Sequence, residues 1–214
     1  MPKSLPDIIY SDNKIFPVVD SNNANYLIPY YKNEDFFMNY DSLNTFIKSC
    51  ESAVRNNDRY SKYIYYLKTE VKLNHCQVLK SVDDDDASIE MHHGPIFTLY
   101  DYCLMVTEYF LMHGYKITTF RIADTVLEEH LKNHIQVVML SSTIHEEVHN
   151  RDIFINYKQA FGDLNAFLKK YGEAMDEDLK IKLNRYIDRS LVQDSNDYGI
   201  LKLNKFLYKG PKDV

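Results

Sequence analysis

Residues 137–149 read VVMLSSTIHEEVH and combine two secondary-structure signals in one short segment. Val137–Leu140 is an uninterrupted apolar run of the kind that forms a short buried strand. The polar residues that follow suit a helix that carries His145 and His149. Residues four apart share one face of a helix, so both imidazoles can bind the same cation. The segment therefore predicts a strand that leads straight into a histidine-bearing helix.

A second group of histidines lies upstream, in Ser88-Ile89-Glu90-Met91-His92-His93-Gly94-Pro95. We interpret residues 88–92 as a strand that Gly94-Pro95 ends, and Cys76–Val82 as the strand that precedes it across an acidic turn. Consecutive side chains point to opposite faces of a strand, so His92 and His93 cannot both bind one metal from regular strand geometry. The upstream and downstream groups together offer three imidazoles for one ion and one spare imidazole.

Apolar residues at helical spacing predict helices around these strands. The helices are expected from Asp41, after Asn57-Asp58, over 98–113, over 119–133 with Thr118 or Thr119 as N-cap, after Asp163 and after Asp176. We find no internal repeat and no dividing linker, so the sequence predicts one α+β domain that is mostly helical. Its parts are an irregular arm at 1–40, a helical pair at 41–75, the histidine-bearing unit with a helical insertion at 76–150, and C-terminal helices at 151–214 that end in an edge strand at 202–212.

The composition excludes several classes of protein. Hydrophobic residues make up 45% of the 214 residues and charged residues 26%, which allows an ordinary core and argues against a disordered chain. No apolar run approaches the roughly 18 residues of a membrane-spanning helix, so no membrane association is expected. Three cysteines without a CxxC pair suit a reducing cytosol, and the abundance of Asn, Lys, Ile and Tyr suits a phage or a low-GC bacterium. We therefore expect a cytoplasmic protein of a bacterium or of a phage-infected host.

The charge and glycine content bear on nucleic-acid and nucleotide binding. The net charge of −6 argues against a protein that coats nucleic acid through bulk electrostatics. The chain contains neither GxxxxGK[ST] nor GxGxxG, so a nucleotide-binding fold has no support. An enzyme with a local positive site remains compatible with both observations.

The pattern Glu90-x-His92-His93 on a strand, followed by His145-x-x-x-His149 on a helix, resembles the colicin-type HNH nucleases. In that family the ββα-metal fold joins two strands and a helix around one cation. The resemblance covers about residues 88–150. It implies a metal-dependent endonuclease that hydrolyses phosphodiester bonds in DNA, with RNA the less expected substrate. It also implies one divalent ion, and the sequence does not distinguish Zn, Mg, Ni and Mn.

The resemblance implies a role for each residue of the pattern. The metal ligands would be His92, His145 and His149. His93 would be the general base that activates water. Glu90 would orient or polarise a neighbouring group around the metal.

The chain also departs from the HNH pattern. The residue nine positions before the first helix histidine is usually an asparagine that holds a loop, and here it is Gln136. Two helices replace the short segment that usually connects the strands. Arg121 or Arg151 would neutralise the scissile phosphate, and the sequence does not choose between them. A further basic group on the last helix reads as a solvated face: Lys180, Lys182, Arg185 and Arg189.

Two other interpretations stay open. Residues 145–149 also match H-E-x-x-H, the zinc-peptidase helix signature, with Glu146 as the base. Against this, Glu147 is charged where such helices usually carry uncharged residues, and no downstream third ligand stands out. The other alternative is a catalytically inactive, HNH-like structural or interaction protein. A second HxxxH pair, His130 and His134, is interpreted as part of a helix surface.

Overall fold

The computed structural model describes residues 8–11, 14–17 and 34–193. In chain order the elements are β1 (Ile8–Ser11), β2 (Lys14–Pro17), α1 (Glu34–Met38), α2 (Tyr40–Arg55), α3 (Asp58–Thr69), β3 (Ile89–His93), α4 (Leu99–Met112), α5 (Thr119–Leu131), β4 (Val137–Ser141), α6 (Ser142–His149), α7 (Leu164–Tyr171) and α8 (Glu177–Gln193). The predicted α+β, predominantly helical class is confirmed. The predicted edge strand at 202–212 lies outside the described residues, as does most of the predicted arm.

Strands β3 and β4 form an antiparallel pair, although two helices separate them in the sequence. The register runs from Ile89 opposite Ser141 to His93 opposite Val137. All of β4 is buried, whereas β3 alternates between buried and more exposed positions, as a strand at the edge of a core should. Helix α6 starts directly after β4. The predicted strand–strand–helix order, with a helical insertion between the strands, is therefore present.

The predicted strand at Cys76–Val82 is wrong. In the described residues this segment forms turns, and its backbone closes on itself where Cys76 N–H donates to the Val82 carbonyl at 2.7 Å. It meets β4 through Gln77, which bonds Met139 through main chain and side chain, and through Cys76, whose Sγ accepts from the Ser141 hydroxyl at 3.8 Å. Its local pattern resembles half of a hairpin, but β3 pairs instead with a strand more than forty positions away. Pattern alone does not choose a strand's partner.

The predicted helices are confirmed, with one correction at an N-terminus. Helix α2 is capped by Asn39, whose side chain accepts from the Ser42 N–H at 2.9 Å, and not by Asp41. Asp41 lies in the first turn, where a carboxylate still favours the helix dipole. The predicted caps Thr118 of α5 and Asp163 of α7 are found, and Asn57 caps α3.

Helices α4 and α5 supply a large part of the core and so hold the two strands in place. Tyr102 of α4 is fully buried, and its hydroxyl accepts from the Gln136 backbone N–H at 3.1 Å. This bond connects α4 to the residue before β4. No described helix combines the length and the apolar character that crossing a bilayer requires.

Candidate metal centre

Three histidines converge on the outer side of the β3–β4 pair. His92 extends from β3, and His145 and His149 lie one turn apart on α6. One ring nitrogen from each lies within 4.8 Å of those of the other two. The Nε2 atoms of His145 and His149 are 3.1 Å apart. Two nitrogens that share a tetrahedral zinc at about 2.0–2.1 Å lie about 3.3 Å from each other, so this spacing suits a common cation.

The position of His92 follows from the strand period. On β3 the side chains of Ile89, Met91 and His93 are buried, whereas Glu90 and His92 lie on the other face. The ring of His92 meets the His145 ring at 4.9 Å and the His149 ring at 5.1 Å between centroids, both edge-on.

Gly94 leaves space for the His92 ring. A Cβ at position 94 would lie 3.0 Å from both Cδ2 and Nε2 of His92, closer than ordinary van der Waals contact. Any larger residue would therefore displace the imidazole. A glycine next to the strand end is part of how the chain positions this ring.

His92 is suited to bind a cation at neutral pH. Burial, with a smaller contribution from the neighbouring His145 and His149, lowers the pKa of His92 to about 4. The ring is therefore neutral at pH 7 and keeps a lone pair for a metal ion.

Glu90 holds one of the helix histidines in a defined orientation. Its Oε2 lies 2.6 Å from Nδ1 of His145. Because a carboxylate only accepts, this contact places the proton of a neutral His145 on Nδ1 and leaves the Nε2 lone pair directed toward His149. Carboxylates that hold a ligand histidine in this way are common around metal ions. The position of Glu90 suits the orienting role that the resemblance implies.

The donor set indicates which ions would fit. Three neutral imidazoles favour zinc, nickel and similar ions, whereas magnesium prefers oxygen ligands. The His145 side chain is 23% exposed, and His149 is exposed, so the cluster is open to solvent. Three protein ligands with an open fourth position are typical of catalytic zinc sites, while structural sites are closed by four.

His93 lies on the opposite face of β3 and is not brought into the cluster. It is 5% exposed, its ring stacks near Tyr60, and its Nε2 is 2.9 Å from Nε2 of His130. His130 Nδ1 donates to the Val126 carbonyl at 2.8 Å, so its Nε2 accepts and His93 Nε2–H donates. Burial also lowers the pKa of His93. This position does not suit an exposed, freely accessible base. The His93 ring can accept a proton only through its Nδ1.

The interpretation of His130 as a helix-surface residue is wrong. Its side chain is fully buried and is held between His93 and the rings of Tyr60 and Tyr63. The sequence carried a signal for this, because position 130 lies four residues after the buried Val126 on the core face of α5.

The side chain of Gln136 does not reach the cluster. It is fully buried, and neither its Oε1 nor its Nε2 has a hydrogen-bond partner in the described part of the chain. The main chain of Gln136 does bond to the end of β3, because its carbonyl accepts from the Gly94 N–H at 3.3 Å. This bond secures the residue that gives His92 its space.

The two candidate arginines lie in different surroundings. Arg121 donates to the Lys116 carbonyl at 3.0 Å, and its guanidinium lies over the rings of Phe110 and Tyr115. It therefore belongs to the connection between α4 and α5. Arg151 follows α6, the helix that carries two of the histidines. Arg151 is therefore adjacent in the chain to the histidine-bearing helix, whereas Arg121 is engaged between α4 and α5.

The fold and the cluster together define a class: an α+β protein with a candidate three-histidine centre on a strand–strand–helix unit. A family model of the bacteriophage G278-like virion proteins matches residues 6–207, and the chain belongs to this family. No curated protein and no solved structure matches the chain. The phage association that the composition indicated is thus confirmed.

Proposed function

We propose that this virion-family protein is a metal-dependent endonuclease of the HNH type, which hydrolyses phosphodiester bonds in DNA at the three-histidine centre. The observation that carries the proposal is the convergence of His92, from one strand of an antiparallel pair, with His145 and His149, from the helix that directly follows the other strand. This is the arrangement that the ββα-metal fold requires.

The order of the ligands favours this function over a zinc peptidase. In the H-E-x-x-H peptidases considered above, the third ligand would follow the helix in sequence. Here the third imidazole, His92, precedes the first helix histidine, His145, by more than fifty residues and comes from a strand. Glu90 also has a defined partner in His145. The peptidase interpretation leaves both contacts without a function.

The chain's own residues suggest how the reaction would proceed. A divalent cation at this centre would polarise a phosphodiester oxygen and stabilise charge on the leaving oxygen. Glu90 keeps the His145 ring in the orientation that binds the cation. The resemblance assigns the general base to His93, but this ring is buried on the inner face of β3 with its Nε2 turned to His130, so the proposal for the centre does not depend on it.

The test is metal-dependent nicking of a supercoiled plasmid. Metal-stripped protein is supplied in turn with Zn, Ni, Mn or Mg, and nicking and bound metal are both measured. We expect nicking with at least one of these ions and a loss of more than about 100-fold in His149→Ala, because removing a ligand costs more than the 10–100-fold typical of outer-shell partners. The control is His134→Ala, a partly exposed histidine outside the cluster that contacts Glu129.

The outcomes separate the alternatives. Wild-type protein that binds metal and leaves the plasmid intact would contradict the nuclease and favour a structural metal site. Casein cleavage that disappears in Glu146→Gln would favour the peptidase. A His93→Ala variant that remains folded, binds metal and nicks at the wild-type rate would exclude His93 as the base.

A further inference from the structure

A cleft of about 200 Å³ lies beside the helix that carries two of the histidines. It is lined by Pro95, Val148, Arg151, residues 153–155 and Arg189. Val148 directly precedes the ligand His149, and Pro95 directly follows Gly94, which adjoins the His92 ring. Two residues of the cleft are therefore sequence neighbours of residues that form or adjoin the histidine cluster, one on α6 and one after β3.

Arg151 occupies a backbone position that favours glycine. It follows the C-cap of α6 with a φ of 69°, in the left-handed region. The Arg151 N–H donates to the Val148 carbonyl and the Asp152 N–H to the Glu147 carbonyl, which is the hydrogen-bond pattern of a Schellman motif. A side chain at this position strains the backbone, and glycine would not.

Arg189 is held in a fixed orientation on the other wall. Its guanidinium lies 4.3 Å from the centre of the Phe154 ring. Stacking on an aromatic face restrains the guanidinium plane and leaves its N–H edge available, in the fork geometry that matches phosphate oxygens. None of the described residues that line this cleft is acidic. The positive charges of Arg151 and Arg189 in one apolar-walled cleft repel each other, and an anion bound between them reduces this repulsion.

We propose that the Arg151–Arg189 cleft binds a phosphate of the nucleic-acid backbone next to the three-histidine centre. The inference rests on the proposed function for the identity of its ligand. It gives an acidic chain with a net charge of −6 a local positive contact for a polyanion. It also assigns a function to Arg189 of α8, which the sequence alone indicated only as part of a solvated face.

The test measures binding without cleavage. A fluorescent 20-base-pair DNA duplex is titrated with the full chain in EDTA, at several salt concentrations. The variants are Arg151→Gly and Arg189→Gln, and the matched control is Arg185→Gln, which removes the same charge one turn away on α8. We expect each of the first two to weaken binding about fivefold to tenfold and to reduce the salt slope by about 1, and the control to bind within twofold of wild type.

Arg151→Gly also separates binding from folding. Because glycine suits the left-handed position, its Tm should equal or exceed that of the wild type while DNA binding weakens. An RNA duplex should show the same losses, since the backbone phosphate is common to both.

The results distinguish this inference from the proposed function. Selective loss of DNA binding in both variants, with no plasmid nicking by the wild type, would support the cleft and contradict the nuclease. Wild-type affinity in Arg151→Gly and Arg189→Gln would overturn the cleft even if nicking occurs. An equal loss in Arg185→Gln would overturn it too, because general charge would then explain the binding.

Discussion

His92 and His93 are neighbours on β3, yet the fold gives them opposite surroundings. His92 lies on the outer face with the two imidazoles of α6, whereas His93 lies on the inner face, 5% exposed, against His130 of α5. Burial lowers the pKa of both. What differs is the partner: His92 faces other candidate ligands, and His93 is paired in the core. A strand's period of two is enough to separate a candidate ligand from a core residue.

The two HxxxH pairs differ for a related reason. His145 and His149 both lie within α6, so the four-residue spacing puts their rings on one face. Helix α5 ends at Leu131, and Asn133 has a φ of 56°, so His134 leaves the helix that carries His130. His134 bonds Glu129 at 2.7 Å instead. The same spacing therefore forms a pair only where one helix continues through both residues.

The largest expected contrast comes from replacing the two neighbours on β3 one at a time. His92→Ala should reduce metal affinity more than about 100-fold and change the metal-free stability by less than about 1 kcal/mol. His93→Ala should lower the free energy of unfolding by about 2–4 kcal/mol, since it leaves a cavity and removes the donor to His130. Metal titration and urea unfolding measure the two effects. If His92→Ala proved the more destabilising in metal-free protein, the contrast between the faces would be wrong.

The buried pair should also make stability depend on pH. Burial lowers the pKa of His130 to about 4 in the folded chain, against about 6.5 when unfolded. Below pH 6.5 the unfolded chain therefore binds more protons, so stability is full above about pH 6.5 and falls toward pH 4, by up to about 3 kcal/mol. His130→Gln keeps an acceptor for His93 and does not titrate. Its stability deficit relative to wild type should shrink from pH 7 to pH 4 in urea unfolding, and a constant deficit would contradict a neutral buried His130.

A smaller effect is expected at the carboxylate that orients His145. Glu90→Gln should weaken metal binding by about 10–100-fold, because an amide orients the imidazole less strongly than a carboxylate does. Glu146→Gln is the matched control, since Glu146 is exposed and adjoins the same ligand in sequence. Isothermal titration with zinc compares the two. If Glu146→Gln lost more metal affinity than Glu90→Gln, the carboxylate that supports His145 would be Glu146 of the helix and not Glu90.

Local pattern predicted most of the elements, and the resemblance to the HNH nucleases implied the grouping of His92 with His145 and His149. Periodicity and caps depend on residues within one or two turns, so the helices after Asn57, over 98–113 and after Asp163 could be read directly. The four-residue spacing puts His145 and His149 on one face of a helix, but it does not by itself bring His92 to them.

Three features were decided only by the tertiary structure. These are the strand that pairs with β3, the hydrogen-bond partner of His93, and the presence of Arg189 in the same cleft as Arg151. Each depends on contacts between residues far apart in the sequence: β3 with β4, His93 with His130, and α8 with the loop after α6. Such contacts are chosen by burial and packing over the whole chain, which spacing within one segment does not encode.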